Sequence, residues 1–193
     1  SRVPFAGGQA FGGVGSYEQI DGVVHFAVDP QSAANEIIAD IGLAPRDAQG
    51  KVAFSSDFRI LQPVEPQKGN KRILFDILNR GKALALRNLN SAPDVLPADP
   101  PDPGNGFLMR QGYTVVWCGW QHDVPTVPGV LSIKIPDAVG PNGPIDGKIV
   151  VTFQNNVPAQ AQLMSDRNHQ SYPTNNLEDL DAVMTVQDHE DAP

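Results

Sequence analysis

Two short runs of almost unbroken apolar residues limit what this chain can fold into more than any other feature. Arg72-Ile73-Leu74-Phe75-Asp76-Ile77-Leu78 and Tyr113-Thr114-Val115-Val116-Trp117-Cys118 lack regular polar alternation, the pattern of strands covered on both faces. Between them come a Pro/Asp-rich stretch at 93–103, which reads as exposed loop, and Phe107-Leu108-Met109-Arg110-Gln111, a helical turn closed by Gly112. Strand, loop, short helix and strand make one right-handed crossover unit, the building block of a parallel sheet. One short helix cannot cover two such strands. Further chain, a partner chain or a second copy in a homo-oligomer is therefore expected over the sheet.

The remaining strands read as more exposed. Residues 17–28 suit a hairpin or a turn feeding a strand, with Ile20, Val23, Val24 and Phe26 placed around Asp21-Gly22. Residues 51–64 alternate as a half-buried strand, with Val52, Phe54, Phe58 and Ile60 against polar neighbours and Pro63 and Pro66 at its end. A short helix is expected at 32–39 with Ile37 and Ile38 inward, and the Gly-rich opening at 5–15 suits an irregular segment or a bulged strand. After Gln121 the chain turns to Pro/Gly-punctuated strands at 130–135 and 148–154, joined across 140–144, with another at 182–186. Eighteen glycines and eighteen prolines in 193 residues fit short strands and many turns and argue against a helical bundle.

A net charge of −8 disfavours phosphate backbones and anionic lipid heads, so no nucleic-acid partner is expected. No apolar run approaches the roughly 20 residues that span a bilayer. Cys118, the single cysteine, is flanked by Val115, Val116, Trp117 and Trp120 and reads as a small buried hydrophobe. His25, His169 and His189 have no metal-ligand spacing, the acidic run 188–191 reads as solvated, and no phosphate-cradling Gly-rich motif implies a cofactor.

Three segments carry a resemblance: Pro4-Phe5-Ala6-Gly7-Gly8-Gln9-Ala10-Phe11-Gly12 through Tyr17-Glu18; Ile77-Leu78-Asn79-Arg80-Gly81-Lys82 through Leu86; and Gly104-Asn105-Gly106-Phe107-Leu108 through Trp117-Cys118-Gly119-Trp120-Gln121. A weaker one runs from Pro144-Ile145-Asp146-Gly147-Lys148 to Tyr172-Pro173. Together they resemble, in order, the front of a family of long, mostly uncharacterised and often exported bacterial α/β-hydrolase-domain proteins. The resemblance implies an esterase-like fold acting on a small-molecule acyl substrate, an exported location, and a nucleophile serine in a G-x-S-x-G elbow downstream of the matched segments. No serine here has the flanking glycines. In Gly13-Val14-Gly15-Ser16-Tyr17 the hydroxyl comes one place too late and no glycine trails it.

Two places are candidate sites. Asn79, Arg80 and Gly81 leave the strand that would play the third-strand role in an α/β-hydrolase, whose following loop supplies a backbone N–H to the oxyanion. A plain tight turn capped by Asn79 is the other reading. Trp117, Gly119, Trp120 and Gln121 leave the carboxyl end of a buried strand, where open α/β sheets bind ligands. They line a pocket, or they form an aromatic plug with His122 and Asp123 on a solvated turn.

The expected fold is α/β: a partial α/β-hydrolase-like sheet at 1–121 with a β-rich N-terminal region, and a β-rich insertion or subdomain at 122–193. The expected function is the N-terminal portion of an ester or acyl hydrolase, inactive without its nucleophile segment. The alternative is a non-catalytic β-rich ligand-binding or scaffold module.

Overall fold

The computed structural model describes residues 1–152, 160–161 and 174–186. Its strands are β1 (Arg2–Pro4), β2 (Tyr17–Val28), β3 (Val52–Pro63), β4 (Ile73–Phe75), β5 (Thr114–Cys118), β6 (Ile133–Lys134), β7 (Val139–Gly140) and β8 (Gly143–Pro144). Two short helices, α1 (Ala85–Asn90) and α2 (Phe107–Arg110), lie between β4 and β5. The protein is β-rich, with few helices and a mixed sheet ordered β1-β2-β3-β5-β4, β6 pairing with β3.

β2 and β3 form an antiparallel ribbon from Tyr17↔Pro63 to Val28↔Val52, and β5 joins β3 antiparallel through Phe58↔Cys118 to Leu61↔Val115. β4 then joins β5 in parallel, Ile73↔Thr114 to Phe75↔Val116, as the crossover pattern requires. α2 ends at Gly112, whose φ of 75° closes the helix, and residues 93–96 and 98–100 of the Pro/Asp stretch are exposed. Asn90, wholly buried, closes that loop. Its Nδ2 donates to Pro103 O (2.9 Å), and its Oδ1 accepts from Leu108 N (2.9 Å).

The core lies on one face of the sheet, where Tyr17, Leu61, Val115 and Trp117 meet Leu78, Leu86, Leu108 and Met109. The Gly-rich opening covers it: two 3-10 turns, Phe5–Gly8 and Gly12–Val14, bring Phe5 and Phe11 to within 6.0 Å, and Phe11 packs edge-on to Tyr17 at 5.7 Å. Tyr17 OH donates to the Tyr113 (2.9 Å) and Met109 (3.1 Å) carbonyls, tying β2 to the end of the crossover. Burial pushes its pKa up to about 12.

Several expectations are corrected. Asp21-Gly22 makes no turn but lies inside the continuous β2, where a Cβ on Gly22 would sit 2.8 Å from the Phe58 ring. The glycine serves cross-strand packing. Residues 32–39 form only the 3-10 turn Ala33–Asn35, with Ile37 91% exposed, because so short a segment without tertiary cover does not sustain a helix. Of the strand expected at 130–135, only Ile133–Lys134 pairs, and residues 148–152 and 182–186 form no strand. The 140–144 connection does make a tight hairpin between β7 and β8. Residues 153–154, Tyr172-Pro173, His169, His189 and 188–191 lie outside the described residues.

The most consequential correction concerns 72–78. Its pattern predicts cover on two faces, yet β4 is an edge strand: Leu78 is buried, whereas Ile73 (69%), Phe75 (56%) and Ile77 (69%) are exposed. Cys118 is half-buried, with its Sγ 3.1 Å from Ser56 Oγ.

Replacing Tyr17 by Phe removes the hydroxyl shared by the Tyr113 and Met109 carbonyls, the second of which keeps the Gly112 N–H, and is expected to lower unfolding free energy by about 1 kcal/mol in urea titrations. In the wild type, the raised Tyr17 pKa makes stability fall as pH rises from about 10, where the unfolded phenol ionises, through about 12. Tyr17→Phe removes that component of the alkaline loss.

Candidate functional site

Beyond the end of β4 the ladder continues one residue, Asp76 N donating to Val116 O at 3.0 Å. Asp76 Oδ2 then accepts three hydrogen bonds: from Leu84 N (2.9 Å), Ala85 N (2.7 Å) and Trp117 Nε1 (2.6 Å). The first two donors are N–H groups that the start of α1 cannot satisfy internally, and Leu84 has no side-chain oxygen to cap them. One carboxylate thus closes the loop between β4 and α1 and fastens it to β5.

At the tip of that loop, Asn79 N bonds to Lys82 O (3.0 Å) and Lys82 N to Asn79 O (3.1 Å), making a two-residue turn. Its central residues, Arg80 (φ 52°) and Gly81 (φ 78°), are both left-handed, as the primed hairpin turn requires. Glycine is needed at the second place for another reason. A Cβ there would lie 2.4 Å from Val130 Cγ1, and Gly81 O accepts from Leu131 N at 3.0 Å.

Arg80 has no such freedom and is held from outside the turn. Its N–H donates to Gln121 Oε1 (2.9 Å), and its guanidinium donates to Asp123 Oδ1 (2.8 Å) and Asp123 O (2.7 Å). The Arg80 hydrogen bond holds the Asp123 carboxyl below the usual carboxylate range, against an opposing effect of burial. Trp120 Nε1 donates to Leu78 O at 2.8 Å, bracing the strand just before the turn.

The two candidate motifs are therefore halves of one assembly. Asn79, Arg80 and Gly81 form the turn, and Trp117, Trp120, Gln121 and Asp123 fix it. Their positions differ, however. Trp117 is 1% exposed and belongs to the core, and Gly119 packs where a Cβ would meet Ser132 backbone at 2.3 Å. Trp120 is 55% exposed. Gly81 is buried, and its N–H makes no hydrogen bond among the described residues. A buried unpaired donor is uncommon and marks a place where an acceptor can bind. Asp76 and the Arg80–Asp123 pair escaped the sequence reading, although a lone carboxylate inside an apolar run is a visible signal for the first.

An open groove of about 510 Å³, lined by Asp57, Phe58, Arg59, Lys134 and residues 125–132, shares Val130 and Leu131 with the contacts of the turn. Two of its charged groups are engaged: Asp57 accepts from Ser132 N (3.1 Å) and Arg59 pairs with Asp21 at 2.5 Å. Among the described residues no metal-binding cluster assembles, and no helix is long and apolar enough to cross a membrane. No protein-family model, curated protein or solved structure matches the chain.

A carboxylate whose folded pKa is depressed stabilises the protein above its unfolded pKa and loses that contribution as pH falls through the folded value. Asp123→Asn is accordingly expected to lower the urea midpoint at pH 7, with the gap to wild type narrowing towards pH 3. An unchanged gap would mean that the Arg80–Asp123 pair does not titrate with folding.

Proposed function

We propose that this chain is the N-terminal portion of a bacterial, exported α/β-hydrolase acting on ester or related acyl substrates, with the 79–82 turn contributing to its oxyanion hole. The observation that carries this reading is the buried Gly81 N–H, unpaired among the described residues, in a braced turn beyond the carboxyl end of a parallel strand. Backbone donors held in advance at such a place stabilise the oxyanion of acyl transfer, and in α/β-hydrolases one of them comes from the loop after the third strand. The parallel β4–β5 pair beside an antiparallel ribbon supports the architecture. Residues 1–193 contain no G-x-S-x-G, so in this reading the nucleophile comes from outside them. In this reading further chain also pairs with the open edge of β4 and packs over the face that bears Ile73, Phe75 and Ile77, residues that sheets do not ordinarily leave bare.

That same bare edge favours one competing reading, a non-catalytic module whose sheet receives a partner chain or a second copy. Turnover of p-nitrophenyl acetate and butyrate, with fluorophosphonate labelling, separates the two. The complete gene product is expected to turn over ester and label at a serine outside residues 1–193, and the 193-residue chain to do neither. Stoichiometric labelling of a serine within 1–193 would overturn the placement of the nucleophile. Inertness of both forms would favour the binding module.

A further inference from the structure

A two-residue turn has two central N–H groups, and in this one they have different fates. The Arg80 N–H is taken by Gln121 Oε1 at 2.9 Å, whereas the Gly81 N–H has no acceptor among the described residues. Arg80 adopts a φ of 52°, a conformation that non-glycine residues keep only where their surroundings over-determine it, and such positions cluster at functional sites. The Asp123 contacts grip the Arg80 side chain, Leu131 N holds the Gly81 carbonyl, and the Gln121 contact takes the Arg80 N–H.

Gln121 is itself anchored. Its carbonyl accepts from Ile133 N at 3.2 Å, Trp120 Nε1 is fixed on Leu78 O, and Gly119 N donates to Asp57 O at 2.8 Å. The amide oxygen is thereby delivered from the frame of the sheet to the tip of the loop.

We propose that Gln121 is a positioning residue for oxyanion stabilisation: by consuming the Arg80 N–H and holding Arg80 left-handed, it leaves the Gly81 N–H as the turn's donor to the developing negative charge. This inference rests on the hydrolase reading and assigns a role within it. It differs from simple bracing in one respect. A brace needs only volume at position 121, whereas positioning needs an acceptor atom there.

The test compares Gln121→Met, which keeps length but offers no oxygen, with Gln121→Glu, which keeps an acceptor, in the complete gene product. With p-nitrophenyl butyrate, Gln121→Met is expected to lower kcat on the order of 10²-fold, the scale of a small misplacement in an active site. KM should stay within about twofold, because the interaction matters in the transition state. Hydrogen exchange should show the Arg80 amide losing protection. Gln121→Glu should recover about tenfold of the lost kcat, the scale of one restored hydrogen bond. If Gln121→Met does not fold, Gln121→Ser, too short to reach Arg80, serves in its place. Equal losses in the acceptor-bearing and acceptor-free variants would overturn the proposal. So would an active enzyme whose kcat ignores Gln121→Met, which would leave the hydrolase reading intact. A folded wild-type protein that turns over no ester would remove the hydrolase reading and this inference together.

Discussion

Asp76 Oδ2 receives donors from two places that the chain must bring together: the start of α1, through Leu84 and Ala85, and the indole of Trp117 on β5. A half-buried carboxylate is costly to desolvate, and hydrogen bonds from three N–H groups offset that cost. The reverse also holds. Without the carboxylate, each donor would carry a desolvation penalty of about 1–3 kcal/mol, so sheet, helix and loop become interdependent at one atom. The geometry of the 79–82 turn descends from this point, since both ends of the loop that carries it are fixed there.

Whatever depends on local pattern was legible in the sequence. The apolar run around Leu74 and the β-branched run around Val115 predicted a parallel pair, Gly112 predicted the end of α2, and the alternation at 51–64 predicted β3. It failed where distant contacts overrule local preference. Asp21-Gly22 has the composition of a turn, but twelve residues of pairing with β3 and the Phe58 ring hold it extended. Ile37 and Ile38 suggested an inward helical face, but both are exposed, and no packing is there to sustain a helix among the described residues. The site was half legible for the same reason. Asn79-Arg80-Gly81 and Trp120-Gln121 stood out as unusual turn sequences, but their hydrogen bonds span about forty residues of chain, and periodicity carries no information about such pairings.

At β4 the apolar pattern and the observed burial part company, and the ladder shows how. Arg72 O accepts from Thr114 N and Asp76 N donates to Val116 O, so the even-numbered residues face β5. In a parallel ladder the intervening residues direct their backbone groups to the open side, and these are Ile73, Phe75 and Ile77, whose side chains are also exposed. Edges with both features are templates for strand addition.

A left-handed arginine would ordinarily be replaced by asparagine or glycine at a primed turn, since both tolerate that conformation more easily. Arg80 adds what neither could: a guanidinium long enough to reach Asp123, which couples the turn to the segment that leaves β5. Backbone strain and ion pair are therefore linked, because the pair forms only when the turn points Arg80 across the gap between the two strand ends. Gly81 is constrained in the opposite sense, by a lack of room, with Val130 and the Leu131 backbone closing over it. One central residue is held by specific bonds and the other by exclusion of volume. A turn fixed in both ways cannot readily relax to bring the Gly81 N–H to an internal acceptor, which is why that donor stays unpaired among the described residues in an otherwise well-bonded loop.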